Sequence, residues 1–178
     1  MGVFTLTTPQ RDSDLSNTII WHEYFHGISN RLTGGPDNSN ALDALQSGGM
    51  GEGWSDWWGL MLTQKPTDGQ LDAYPVGTYF LGQPTNGPCI RRFPYSFYMS
   101  INPLTYGDFN GGFPNNQVHN AGEIWASALW DLNWLLIDKL GFDPDLYNGI
   151  GGNNLTMQLV FDGLKLQPAN PSFLDGRD

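Results

Sequence analysis

Trp21-His22-Glu23-Tyr24-Phe25-His26-Gly27-Ile28 is the stretch on which the reading of this chain turns. Residues four apart share one face of a helix, so both imidazoles of His22-Glu23-Tyr24-Phe25-His26 can reach a single ion. Trp21, Phe25 and Ile28 give the same turns an apolar side, which supports a helix. Neutral imidazole nitrogen is a donor for tetrahedral zinc. Glu23, one residue on from His22, is placed to reach a water on the metal rather than the metal itself. Asp14 or Ser16 can cap this helix, which runs to about Leu32 and is stopped by Gly34-Gly35-Pro36.

Zinc needs a third protein ligand. Gly48-Gly49-Met50-Gly51-Glu52-Gly53-Trp54-Ser55-Asp56 offers one. Glu52 and Asp56 are again four apart, on one face of a second helix read from near Gly51 to Gln64. Glu52 would complete a two-histidine, one-glutamate set with one coordination position open. Asp56 can accept a hydrogen bond from the second nitrogen of a ligating histidine, fixing its tautomer. The plainer alternative is an acidic first turn that complements the helix dipole. The third and last histidine, His119, stands at the start of a long helix. It is either a cap or surface residue, or a donor to the oxyanion of a tetrahedral intermediate.

Outward from these motifs the chain reads as mainly α. Apolar spacing predicts a helix over 118–140, ended by Gly141, and another over about 155–166. Residues 41–46 suggest one turn, residues 1–13 are β-prone, and 65–117 hold most of the Pro and Gly without a sustained period. There are no internal repeats. With 178 residues, 39% apolar and 7 Trp, 7 Tyr and 10 Phe, the chain can build one packed domain or part of a larger one, which excludes disorder as the main reading. A net charge of −10, with no basic cluster beyond Arg91-Arg92, argues against a nucleic-acid partner. A single cysteine, Cys89, excludes an intrachain disulfide. No apolar run suits a membrane span, and Met1 to Leu6 lack a signal-peptide pattern.

These motifs resemble the fungalysin family of secreted zinc metalloproteases, among the thermolysin-like gluzincins. The matching stretches are Arg11 to Leu15, His22 to Gly35, Gly48 to Asp56, Arg92 to Tyr106, Val118 to Trp125, and Asn170 to Asp178. The resemblance implies one zinc ion held by His22, His26 and Glu52, with Glu23 as general base and His119 as the histidine of the V-H-x-x-x-G motif. It also implies a protein or peptide substrate and a secreted location. Such enzymes usually carry an acid shortly before that histidine to orient it. Here Pro114-Asn115-Asn116-Gln117 precede it, and Asp108 is a distant candidate. Because family members carry a propeptide and a mainly β N-terminal lobe ahead of the motif helix, residues 1–178 are expected to be the helical C-terminal lobe of a catalytic domain, with long irregular loops. A fragment of that kind is expected to be zinc-competent and weakly active or inactive alone. The competing reading is a non-catalytic zinc-stabilised fragment or binding module.

Smaller features carry further expectations. Tyr95, Tyr98 or Tyr106 could assist His119, although packing is the ordinary role for each. Arg91 and Arg92 could grip a substrate carbonyl or carboxylate, against a default of surface ion pairing. Asn154-Leu155-Thr156 is a glycosylation sequon. Calcium stays open, since no D-x-D-x-D-G loop is present. Asp12, Asp14, Asp143 and Asp145 read as caps, and Cys89 as a buried thiol without chemistry.

Overall fold

The computed structural model describes residues 1–109 and 117–178. The amino-terminal residues form a short antiparallel pair, β1 (Val3–Phe4) and β2 (Arg11–Asp12), with Val3 opposite Asp12. A 3-10 turn over Ser13–Leu15, capped by Asp12, leads into α1 (Asn17–Gly34). α2 (Leu45–Thr63), α3 (Val118–Leu140), α4 (Gly152–Leu166) and the short α5 (Phe173–Arg177) follow. The described residues are thus mainly helical, as the periodicity predicts. No helix among them is long and apolar enough to cross a membrane.

α1 ends where Gly35 takes φ 78°, a left-handed conformation that side chains disfavour. α2 departs from expectation. It begins at Leu45, not near Gly51, and its first turns contain Gly48, Gly49, Gly51 and Gly53. Read alone, these glycines suggest a loop. In the fold they let α2 lie against α3 at short range. A methyl group on Gly49 would collide with the Ala121 Cβ, and one on Gly53 would come 2.6 Å from the Gly122 carbonyl oxygen. Gly122 is the reciprocal contact, with Glu52 Cβ 2.6 Å from where its own Cβ would stand. Glu52 therefore lies two turns inside α2, opposite the helix that carries His119. The first-turn acid reading of Glu52 does not hold.

The core is centred on α2, which packs on α1 and α3. Phe25, Trp57 and Trp130 are fully buried. Trp54 meets Trp125 edge to face at 5.7 Å, and Trp130 meets Trp134 at 5.8 Å. Of the tryptophans, Trp21 is exposed and Trp58 half-buried, while the other five are enclosed. Residues 64–105 have no helix but are packed. Tyr74 and Tyr95 exchange backbone hydrogen bonds of 2.8 and 3.0 Å, and Val76, Phe80 and Tyr95 are buried. This segment reaches the interior of α2, where Arg91 and Tyr95 donate to Asp56.

Candidate metal centre

His22 and His26 project from α1, and Glu52 and Asp56 from α2. The two histidine Nε2 atoms lie 3.1 Å apart. Glu52 Oε2 is 3.2 Å from His22 Nε2, and Glu52 Oε1 is 3.8 Å from His26 Nε2. A tetrahedral zinc ion with bonds of about 2.0–2.1 Å holds its donors about 3.3–3.4 Å apart. The three donors have roughly that spacing. Among the described residues, His22, His26 and Glu52 form the one group suited to a metal ion.

Protonation supports the same view. His22 is buried and its Nδ1 lies 2.7 Å from Asp56 Oδ1. Burial opposes charge on Asp56, but Arg91 and His22 hold its carboxyl well below the usual carboxylate range. An ionised Asp56 can only accept, so His22 Nδ1 donates. In the neutral ring the Nε2 lone pair then faces the centre. Burial and the neighbouring His22 lower the pKa of His26, favouring the neutral ring that ligation requires. Burial also depresses His22, but the Asp56 bond and charge and the nearby Glu52 carboxylate override it and raise the group to about 9, so a metal would displace a proton there. Glu52 Oε2 is buried without a hydrogen-bond partner, an orphaned acceptor facing imidazole nitrogens. Donor type, spacing and this unpartnered oxygen together fit zinc.

Glu23 is exposed and borders a groove with Tyr24, Gly27, Ile28, Arg31 and Leu32. Its charge acts on His26, which places the two side chains near one another. His119 Nε2 is 3.3 Å from Glu52 Oε2, so the structure brings all three histidines to one carboxylate.

The group next to His119 is Gln117. Its Oε1 lies 3.3 Å from the His119 backbone nitrogen and 2.7 Å from His119 Nδ1. The backbone N–H can only donate, so the acceptor is the amide oxygen and Nδ1 carries a proton. Asp108 does not take this role; it accepts from the Thr105 backbone and hydroxyl at 2.7 and 2.9 Å. Pro114, Asn115 and Asn116 lie outside the described residues. Gln117 was legible only as a polar residue two places before His119.

Arg92 is ion-paired and Tyr106 packs, as their ordinary roles suggest, whereas Arg91 and Tyr95 are enclosed at Asp56. Arg91 is buried and donates to both oxygens of Asp56, at 2.6 and 2.9 Å, so it does not point to solvent for a substrate. Arg92 donates its backbone N–H and its Nε to the buried Glu123, at 2.8 and 2.5 Å, and an Nη2 to the Asn120 carbonyl. Tyr95 donates to Asp56 Oδ2 at 2.5 Å rather than assisting His119. Tyr106 packs against Phe109 and Phe173, and Tyr98 is half-exposed on the loop. Cys89 is buried, and burial pushes its thiol up, away from the reactive thiolate. The sequon Asn154 is engaged in the first turn of α4, donating to the Asp145 carbonyl and accepting from the Gly151 amide.

The family profile described as fungalysin metallopeptidase (M36) matches residues 1–178. The chain belongs to the fungalysin family. Similar curated proteins are extracellular metalloproteinases of fungi. The chain is 46% identical to the extracellular metalloproteinase MEP of Neosartorya fischeri and 47% to that of Aspergillus fumigatus, and in both the match covers 100% of this chain and 28% of the relative. It is 45% identical to extracellular metalloproteinase 10 of Uncinocarpus reesii, over the same shares. This fungalysin chain thus spans about 28% of the length of the relatives it matches. Membership in a metallopeptidase family accords with a metal centre between α1 and α2.

Proposed function

We propose that this chain carries the metal-binding and proton-transfer groups of a secreted zinc endopeptidase acting on protein or peptide substrates. The observation that supports this best is the meeting of His22, His26 and Glu52 from two packed helices, with Glu52 Oε2 buried and unpartnered. In this reading the three residues hold one zinc ion. Zinc supplies Lewis-acid polarisation of the scissile carbonyl and acidification of water. Glu23, exposed beside His26, takes the proton from the attacking water and passes it to the leaving amine. His119, held at Nδ1 by Gln117, turns Nε2 toward the same centre, where an Nε2–H would be placed to donate to a developing oxyanion. Three grouped donors leave one tetrahedral position for reacting species. This favours catalysis over a closed structural site, which uses four protein donors.

The test is metal content and turnover in parallel. Purified chain should bind one zinc, and His22→Ala should abolish binding. Glu23→Gln should keep the zinc while peptidase activity of the longer protein containing this segment falls by at least ~100-fold. Zinc held equally well by His22→Ala removes the ligand assignment, and full turnover by Glu23→Gln removes the base.

A further inference from the structure

Asp56 is bonded more heavily than a simple histidine partner requires. It is 1% exposed and its two oxygens meet four donors. Oδ1 accepts from His22 Nδ1 at 2.7 Å and from Arg91 Nη2 at 2.9 Å. Oδ2 accepts from Arg91 Nε at 2.6 Å and from the Tyr95 hydroxyl at 2.5 Å. Two donors pulling on Oδ2 fix the plane of the carboxylate, and that plane decides whether Oδ1 points along the His22 N–H. Tyr95 is itself fixed. It is 1% exposed, its backbone is bridged to Tyr74, and Asp56 accepts from its hydroxyl. A buried phenol with its O–H on a buried carboxylate is a rigid strut, because it has few rotatable bonds and no water to exchange with.

We propose that Tyr95 is a positioning residue for the metal centre, acting through Asp56 on the orientation of His22. The inference rests on the zinc reading above. It assigns Tyr95 a function that exposure to substrate could not provide, since its hydroxyl is enclosed. Removal of a group that contacts a metal ligand directly weakens metal binding by roughly 10–100-fold. Tyr95 is one bond further out, and Arg91 remains in place, so Tyr95→Phe should weaken zinc binding by roughly 3–10-fold. The sign discriminates between mechanisms. A carboxylate that loses a donor becomes more basic, and if basicity governed the centre, zinc would bind tighter. Loss of alignment makes it bind more weakly.

A double-mutant cycle on the chain itself decides the matter, with zinc affinity measured by competition against a chromophoric chelator. The four proteins are wild type, Tyr95→Phe, Asp56→Asn and the double variant. If Tyr95 acts through Asp56, its 3–10-fold effect shrinks to less than about 2-fold in the Asp56→Asn background, because neighbouring groups in one network are non-additive. A purely architectural tyrosine would give equal effects in both backgrounds. Thermal unfolding of each protein checks that it is folded at the assay temperature. If a metal-free variant is not, the rate of chelator-driven zinc release compares zinc-loaded wild type and Tyr95→Phe instead, with faster release expected from the variant. Wild type that binds no zinc overturns both the zinc reading and this inference. Wild type that binds zinc, with Tyr95→Phe unchanged, tighter, or additive with Asp56→Asn, overturns the Tyr95 role alone.

Discussion

Asp56, Glu123 and Asp131 are acidic side chains inside the helical body, and their partners differ. Asp56 has Arg91, and Glu123 has Arg92. Asp131 on α3 has an Oδ1 that is buried with no hydrogen-bond partner. It lines a mostly apolar groove with Met99, Leu104 and Ile124, and the nearby Arg177 is paired with Asp178 instead. Burial raises the Asp131 carboxyl to about 6. A folded-state pKa above the unfolded value means the folded chain holds that proton more tightly. Stability from this group is therefore highest near pH 4 and lost as pH rises to about 6. A two-unit shift corresponds to roughly 3 kcal/mol at 1.36 kcal/mol per unit, and partial exposure with solvent screening reduces this to about 1 kcal/mol. Asp131→Asn should stabilise the chain by about 1 kcal/mol at pH 7, with the gain shrinking toward pH 4. Urea denaturation at several pH values measures it, and a pH-independent difference would show that burial of the carboxylate is not the cause.

Between elements, the decisive contact is α2 on α3, and it is the part of the fold least legible in the sequence. The facing sides of H-E-x-x-H and Glu52/Asp56 were legible because helical spacing of donors is a local property. The start of α2 was not legible, because glycine lowers helix propensity and only the partner helix explains its presence. The same limit applies to Arg91, Arg92 and Tyr95. Their partners are 28 to 39 positions away, and no local period announces such contacts. The glycine argument yields a paired prediction. Gly49→Ala or Gly53→Ala gains up to about 1 kcal/mol of helix propensity but drives a methyl into the α3 surface, where overpacking costs about 1–3 kcal/mol. Gly163, inside α4, has nothing within 4 Å of where an added methyl would stand. Gly163→Ala should therefore stabilise by up to about 1 kcal/mol, while the α2 substitutions should destabilise on balance. Denaturation midpoints that move the same way for both sets would show that close approach is not what keeps glycine in α2.

Across the whole molecule, the proposed metal joins two helices that hydrophobic packing already holds together. Phe25 from α1, between the two histidines in sequence, meets Trp57 and Trp58 from α2 at 6.4 and 5.1 Å, so the helix pair does not depend on metal for its contact. The centre nevertheless has a proton to give up to a metal. His22, raised to about 9, keeps a proton that ligation would remove, and Glu52 Oε2 makes no hydrogen bond although His22 Nε2 and His119 Nε2 stand 3.2 and 3.3 Å away. These two facts separate zinc as a stabiliser from zinc as a folding requirement. A ligand that binds the folded chain alone adds RT ln(1 + [L]/Kd), about 4 kcal/mol at free zinc 1,000 times Kd. For a chain of this size, each kcal/mol moves Tm by roughly 2–4 °C, so zinc at that level should raise Tm by roughly 8–16 °C over chelated protein. Far-UV circular dichroism at 25 °C should remain helical after chelation, because the tryptophan-rich core persists. The shift should grow with zinc concentration in wild type and vanish in His22→Ala. A chelated chain that loses its helical signal outright would show that α1 and α2 associate only through the metal, contrary to the packing argument.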